Sequence, residues 1–210
     1  GLHGRVIRVE VDVAPGLPGL TIVGLADAAL QEARERVRGA IRNAGFVFPP
    51  RRITVNLAPA DLRKAGASLD LAIAIGILLG SEQIRAGRAR PALIGELSLG
   101  GELRAVPGTL PMVAALAAGG VGGVVLAAAA ADEARLVPGI AVIAAETLAD
   151  AAAIVAAGRR ARPLPIARDR IDIGADPGAP ARSGHGSVSA NEKPEGADAQ
   201  SAVSRRCAAP

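Results

Sequence analysis

The chain has 210 residues, enough for one domain plus a remainder or for two small domains. Half of them are apolar, but Phe46 and Phe48 are the only aromatics, so a core must be assembled from Ala, Val, Leu and Ile. The net charge of +4 is modest, the single Cys207 excludes an internal disulfide and a cysteine-built metal site, and no run of about 18 uncharged apolar residues offers a membrane span.

The alternation Ile7, Val9, Val11, Val13 predicts a first strand over 5–13, and PGLPG at 15–19 a turn. Leu20–Leu25 reads as a second strand. Asp27 can cap a helix that Gly45 stops, with Leu30, Ala33, Val37, Ala40, Ile41 and Ala44 in one apolar stripe. Ile53, Val55 and Leu57 alternate with smaller or polar residues in a third strand, which Pro59 ends because it has no N–H to donate. Asp70 precedes the apolar run Leu71–Leu79, where a carboxylate can cap free N–H groups and favour the helix dipole. A polar loop between a buried strand and a buried helix is where α/β proteins build sites, which draws attention to residues 59–70.

Farther along, Ala92–Leu97 and Leu103–Ala105 read as a hairpin across Gly100–Gly101. Thr109 can cap a helix through Ala118, with Pro111 tolerated in its first turn. GGVGG at 119–123 lacks a dinucleotide fingerprint and reads as a helix C-cap and turn. Strand Gly123–Leu126, a short helix, strand Ile140–Ala144 and helix Thr147–Ala157 follow. This order implies an α/β or α+β sandwich with a mixed sheet over residues 1–165. Residues 166–210 lose apolar periodicity and turn to Gly, Ser, Asp, Ala and Pro, the composition of a disordered tail.

Three blocks carry a family resemblance: GLPGLTIVGLAD at 16–27, RRITVNLAPADLRKAGASLDLAIAIGIL at 51–78 and IGELSLGGELRAVPGTLP at 94–111. Together they resemble the N-terminal domain of the magnesium-chelatase-like AAA+ ATPases, the ComM/YifB family. That resemblance implies a ribosomal protein S5 domain 2-like fold, shared with the proteolytic domain of Lon and the C-terminal domain of RadA. It also implies a following ATPase module using ATP and Mg2+, a hexamer, and helicase action on DNA in branch migration during natural transformation. A nucleotide-binding loop GxxxxGK[ST] is missing, because Lys64 is followed by Ala65 and Lys193 by Pro194. The expectation is a truncated or shifted reading frame, cytoplasmic, with no ATPase activity and no cofactor of its own. The initial Gly1 in place of Met agrees with a fragment.

The likeness to Lon raises a peptidase alternative, which needs a Ser nucleophile and a Lys base. Matching the helix Leu71–Leu79 to Lon puts Ser68 at the nucleophile's position. Matching the 95–110 segment puts Leu110, which accepts no proton, where the Lys should be. Ser68 is therefore read as a hydrogen-bonding residue at a helix start and the site as inactive. Glu96 stands without a paired acid, and there is no HExxH motif or Cys/His cluster for a metal.

The basic residues cluster between Gln31 and Lys64. Eight cations there, against Glu32, Glu35 and Asp61, leave +5. Arg34, Arg38 and Arg42 recur every four residues beside the apolar stripe, Arg51 and Arg52 open the third strand, and Arg63 and Lys64 lie in its exit loop. Such a patch can contact DNA phosphates without reading sequence, though no aromatic is interleaved for base stacking. It reads equally as a solvated helix face with pairs such as Glu32–Arg36. The resemblance tips the balance toward DNA or a neighbouring subunit, and a purely structural oligomerisation module remains the further alternative.

Overall fold

The computed structural model describes residues 5–24, 28–59, 67–158 and 202–203. Strand β3 (Arg52–Ala58) is the hub of the first sheet. It pairs antiparallel with β1 (Arg8–Ala14), from Arg8↔Ala58 to Ala14↔Arg52, and parallel with β2 (Gly19–Val23). Ile53, Val55 and Leu57 are fully buried on one face, as their period of two requires. Helix α1 (Ala28–Asn43) connects β2 to β3 and presses Ala33, Val37, Ala40 and Ile41 into the core. Gly45, at φ 83°, closes it by donating its N–H to the Arg42 carbonyl. Asp27, the expected cap, lies outside the described residues.

A 3-10 turn, Ala67–Leu69, leads into α2 (Asp70–Gly80), of which Asp70 to Leu79 are all buried. A helix apolar all round belongs inside a protein, and α2 is the centre of the larger core. Its Gly76 and Gly80 face β1: a Cβ on Gly76 would stand 2.5 Å from Val11 Cγ2, and one on Gly80 2.9 Å from Val13 Cγ2. The two glycines let strand and helix approach more closely than side chains permit.

The hairpin expected from Ala92 to Ala105 is divided. β4 (Ala92–Ile94) pairs parallel with β7 (Gly123–Ala127), whereas β5 (Glu96–Leu97) pairs antiparallel with β6 (Leu103–Arg104). Gly95 is the break, because its N–H donates to the Ser68 carbonyl and its own carbonyl accepts from Leu71 N–H, both at 3.1 Å. The main chain there serves the start of α2 instead of continuing the ladder. Helix α3 (Thr109–Ala118) keeps its expected span, but Thr109 does not cap it; its Oγ1 donates to the Val106 carbonyl. The Leu110 N–H donates instead to Glu133 Oε1 of α4 (Ala131–Ala134). β8 (Ala141–Ala145) adds parallel to β7, giving the order β4-β7-β8. Helix α5 (Leu148–Ala157) opens with a reciprocal cap between Thr147 and Asp150.

One face of this second sheet, with Leu93 and Val125, joins α2 and α5 in the larger core, while Ile94, Val124 and Leu126 pack against α3 and α4 in a smaller one. Burial on both faces explains why β7 reads as a continuous apolar run. The mixed α/β architecture expected from the sequence is thus present. The expected tail 166–210 lies outside the described residues except for β9 (Ala202–Val203), which pairs parallel with β1.

The close approach of α2 to β1 yields a measurable expectation. Gly76→Ala lowers stability by about 1–3 kcal/mol in urea unfolding, and Val11→Ala in the same chain offsets part of that loss. Equal stability of Gly76→Ala and the parent would show that β1 does not press on α2.

Candidate functional site

The segment singled out by the sequence contains a buried carboxylate. Asp70 is 0 % exposed at the first position of α2. Its carboxylate does not cap the helix as expected. Oδ2 accepts from Arg36 Nε at 2.7 Å and from the Leu97 N–H at 3.3 Å, and Oδ1 accepts from Arg36 Nη2 at 3.2 Å. Arg36 therefore grips the acid with the two-pronged geometry that suits guanidinium and carboxylate. One side chain ties α1, α2 and β5 together. The anticipated Glu32–Arg36 pair exists at 3.9 Å, but it is exposed and subordinate.

Burial pushes the Asp70 carboxyl up to about 6, against Arg36 and the Leu97 N–H, which favour the anion. The hydrogen bond with Asp70 raises Arg36 further above its already basic value. A carboxyl raised from 3.8 makes its full contribution below that pH, and the contribution is lost as pH rises through about 6. The change is on the order of 3 kcal/mol.

Ser68 lies in the turn before Asp70, 4 % exposed, with its carbonyl held by Gly95. Leu110 lies in the first turn of α3, 37 % exposed, with its N–H bound to Glu133. His3, Lys64, His185 and Lys193, the only His and Lys residues of the chain, fall outside the described residues, so no imidazole or ammonium stands beside Ser68 among those described. No three His, Cys, Asp or Glu side chains converge as a metal site among the described residues. No described helix is long and apolar enough to cross a membrane.

The arginines of the expected basic face differ in burial and in partners. Arg38 and Arg34 are half-buried and Arg42 is exposed in the last turn of α1. The Arg38 guanidinium lies 5.0 Å above the centre of the Phe48 ring, which joins α1 to the segment leading into β3. An aromatic therefore does accompany the cations, but its ring is already engaged by Arg38. Arg51 and Arg52 are exposed at the start of β3. The Arg34 Nε is buried and has no hydrogen-bond partner among the described residues. No ion pair holds Arg34, Arg38, Arg42, Arg51 or Arg52 among the described residues. Arg63 and Lys64 lie outside them. Arg36 belongs to the opposite flank of α1, and sequence spacing alone did not separate it from the other arginines as a structural residue. Its i, i+2 offset from both Arg34 and Arg38 is the signal that was available.

That opposite flank borders an open cleft of about 610 Å³, lined by Glu32, Glu35, Arg36, Glu102, Arg104 and the β5–β6 turn. Within it the Ser98 hydroxyl donates to Glu102 Oε2, and the Glu102 N–H donates to Ser98 Oγ at 3.1 Å. Helix α1 thus carries, on one flank, cations without ion pairs among the described residues and, on the other, a mixed, acid-rich cleft.

A family model described as subunit ChlI of Mg-chelatase matches residues 9–130, more than half of the chain. The uncharacterized protein YifB of Escherichia coli is 51 % identical over 111 residues, 52 % of this chain and 22 % of the relative. Competence protein ComM of Haemophilus influenzae is 47 % identical over 116 residues, 55 % of this chain and 23 % of ComM. An uncharacterized protein of Mycobacterium tuberculosis is 44 % identical over 149 residues, 70 % of this chain and 30 % of that protein. The chain thus spans less than a third of the length of these relatives.

Removing the cation from the central pair tests its role. Arg36→Ala lowers stability at pH 7 by about 3–5 kcal/mol, because it strands a buried anion. At pH 5 the loss is smaller, since Asp70 is then largely protonated and needs no cation. Denaturant unfolding at the two pH values reads the difference; an equal loss at both would show that the pair is not coupled to Asp70 ionisation.

Proposed function

Because the chain belongs to the family of subunit ChlI of Mg-chelatase, with YifB and ComM among its relatives, we propose that it is the N-terminal accessory and assembly domain of a ComM/YifB-type AAA+ ATPase. Its basic face contacts DNA phosphates while a separate module hydrolyses ATP with Mg2+. The observation that supports this reading is the set of arginines at the α1–β3 junction, free of ion pairs among the described residues. Where a basic helix face is merely solvated, its arginines commonly pair along the helix. Here the acids of α1, Glu32 and Glu35, border the cleft on the other flank. Phosphate contact of this kind brings affinity without sequence preference.

The element order is compatible with the ribosomal protein S5 domain 2-like fold that the resemblance implies. In this reading the chain itself holds no nucleotide, lacking GxxxxGK[ST], and cuts no peptide, since Ser68 is buried and Leu110 stands at the base's position. The hexamer, the helicase action and the cytoplasmic location are those of the complete protein. A second reading, assembly alone, draws support from the acid-rich cleft beside Arg36, where arginines of the next subunit can pair. A serine-reactive reagent that labelled Ser68 would favour the peptidase instead.

Fluorescence anisotropy with labelled duplex DNA separates these readings. With four phosphate contacts, affinity falls about 100-fold between 50 and 200 mM salt. The triple variant Arg42→Gln, Arg51→Gln, Arg52→Gln flattens the salt dependence by about 0.9 per contact removed. Absence of binding at low salt rejects DNA contact and leaves assembly, which sedimentation then reports as self-association.

A further inference from the structure

Strand β3 lies between β1 and β2, and both neighbours meet it at the same residue. Ala14 at the end of β1 and Gly19 at the start of β2 are each opposed to Arg52. Neighbouring strands are about 4.8 Å apart, so residues 15–18 cross about 10 Å over the beginning of β3. This crossing is held in shape. Pro15 and Pro18 have fixed φ, Gly16 turns at φ 147°, and the Gly19 N–H donates to the Arg51 carbonyl at 3.2 Å. The crossing also rests on the stem of Arg52, since a Cβ on Gly16 would stand 3.4 Å from Arg52 Cβ. At its crest Leu17 is 89 % exposed, more than any other large apolar side chain among the described residues. Arg51 and Arg52, which the crossing spans, are exposed and without ion pairs among the described residues.

We propose that Leu17 is a wedge that enters a base step of the duplex whose phosphates Arg51 and Arg52 hold. The inference rests on the DNA contact proposed above and adds what the basic face does to the DNA, which is to part and kink one step. An apolar side chain inserted between stacked bases leaves water, and that burial offsets part of the cost of unstacking them. A base step is an apolar slot edged by phosphates, which matches one apolar side chain standing among cations. A protein interface centres instead on several apolar side chains with few charges, whereas Leu17 stands over two arginines. The stiffness of the turn matters as well. A wedge on a loose loop would fold away from the stack, and ordering it would consume the energy of the contact.

Binding of the full chain to two labelled duplexes, one intact and one with a central mismatch, tests it by anisotropy. A mismatch has already lost much of the stacking that the wedge must break, so the parent binds that duplex about 10-fold more tightly. Leu17→Ala, at an exposed position where substitution leaves folding intact, binds both duplexes within about 2-fold of each other. It keeps the salt dependence of the parent, because the phosphate contacts remain. Leu17→Met retains the preference for the mismatch. Equal binding of the two duplexes by the parent overturns the wedge and leaves phosphate contact standing. No binding of either duplex at low salt removes the DNA contact itself, and the wedge with it. A preference that survives in Leu17→Ala overturns the wedge too. So does sedimentation without DNA in which the parent self-associates and Leu17→Ala does not, since that assigns Leu17 to a contact between copies.

Discussion

The bond between Arg36 and Asp70 is the constraint on which the arrangement of this protein turns. A carboxylate with no exposed surface sits at the start of an otherwise apolar helix, and one guanidinium and one main-chain N–H hold it there. Each partner comes from a different element, so satisfying Asp70 sets where α1 and β5 lie relative to α2. The adjacent Gly95 bridge to Ser68 and Leu71 fixes the same corner through main chain alone. Taking a charge into the interior is costly, and that cost makes misplacement of any of the three elements costly as well.

A core almost without aromatics must obtain its cohesion from close packing of small and branched side chains. The glycines show how. Gly76 and Gly80 admit β1 against α2, Gly39 admits the Leu99 turn against α1, and Gly87 meets Gly158 at a separation that leaves no room for a Cβ on either. The same turn is fastened by Asn43, whose Nδ2 donates to the Leu99 carbonyl, and by Leu148, whose N–H donates to the Gly101 carbonyl. Backbone approach replaces side-chain bulk. Elements thereby come near enough for a single arginine to reach across from α1 to α2.

This packing divides the charges of α1 into two classes. Arg36 faces the interior and is spent on structure, whereas Arg38 stacks on Phe48 and steadies the segment ahead of Arg51 and Arg52. The outward arginines are thus carried on a stiffened corner, which lowers the ordering cost of any contact they make. Ser68 is buried, whereas Leu110 is half-exposed on another helix.

Much of the fold was legible in the sequence because its signals are local. The period-two alternation of Ile53, Val55 and Leu57, the stripe on α1 and the Gly45 stop each act within a few residues, and each places an element. The reading of Ala92–Leu97 as one strand misled, because Gly95 leaves the ladder for partners 24 and 27 residues earlier in the chain. The basic cluster was visible as composition, but its sorting into structural and outward residues was not. By itself the sequence determined most of the elements, their order and the family resemblance, since these follow from short-range periodicity and motif. Only the tertiary structure decided that Asp70 binds Arg36 rather than its own helix, and that Ser68 is buried. Those outcomes depend on burial and on partners 34 and 27 residues away, which no local pattern encodes.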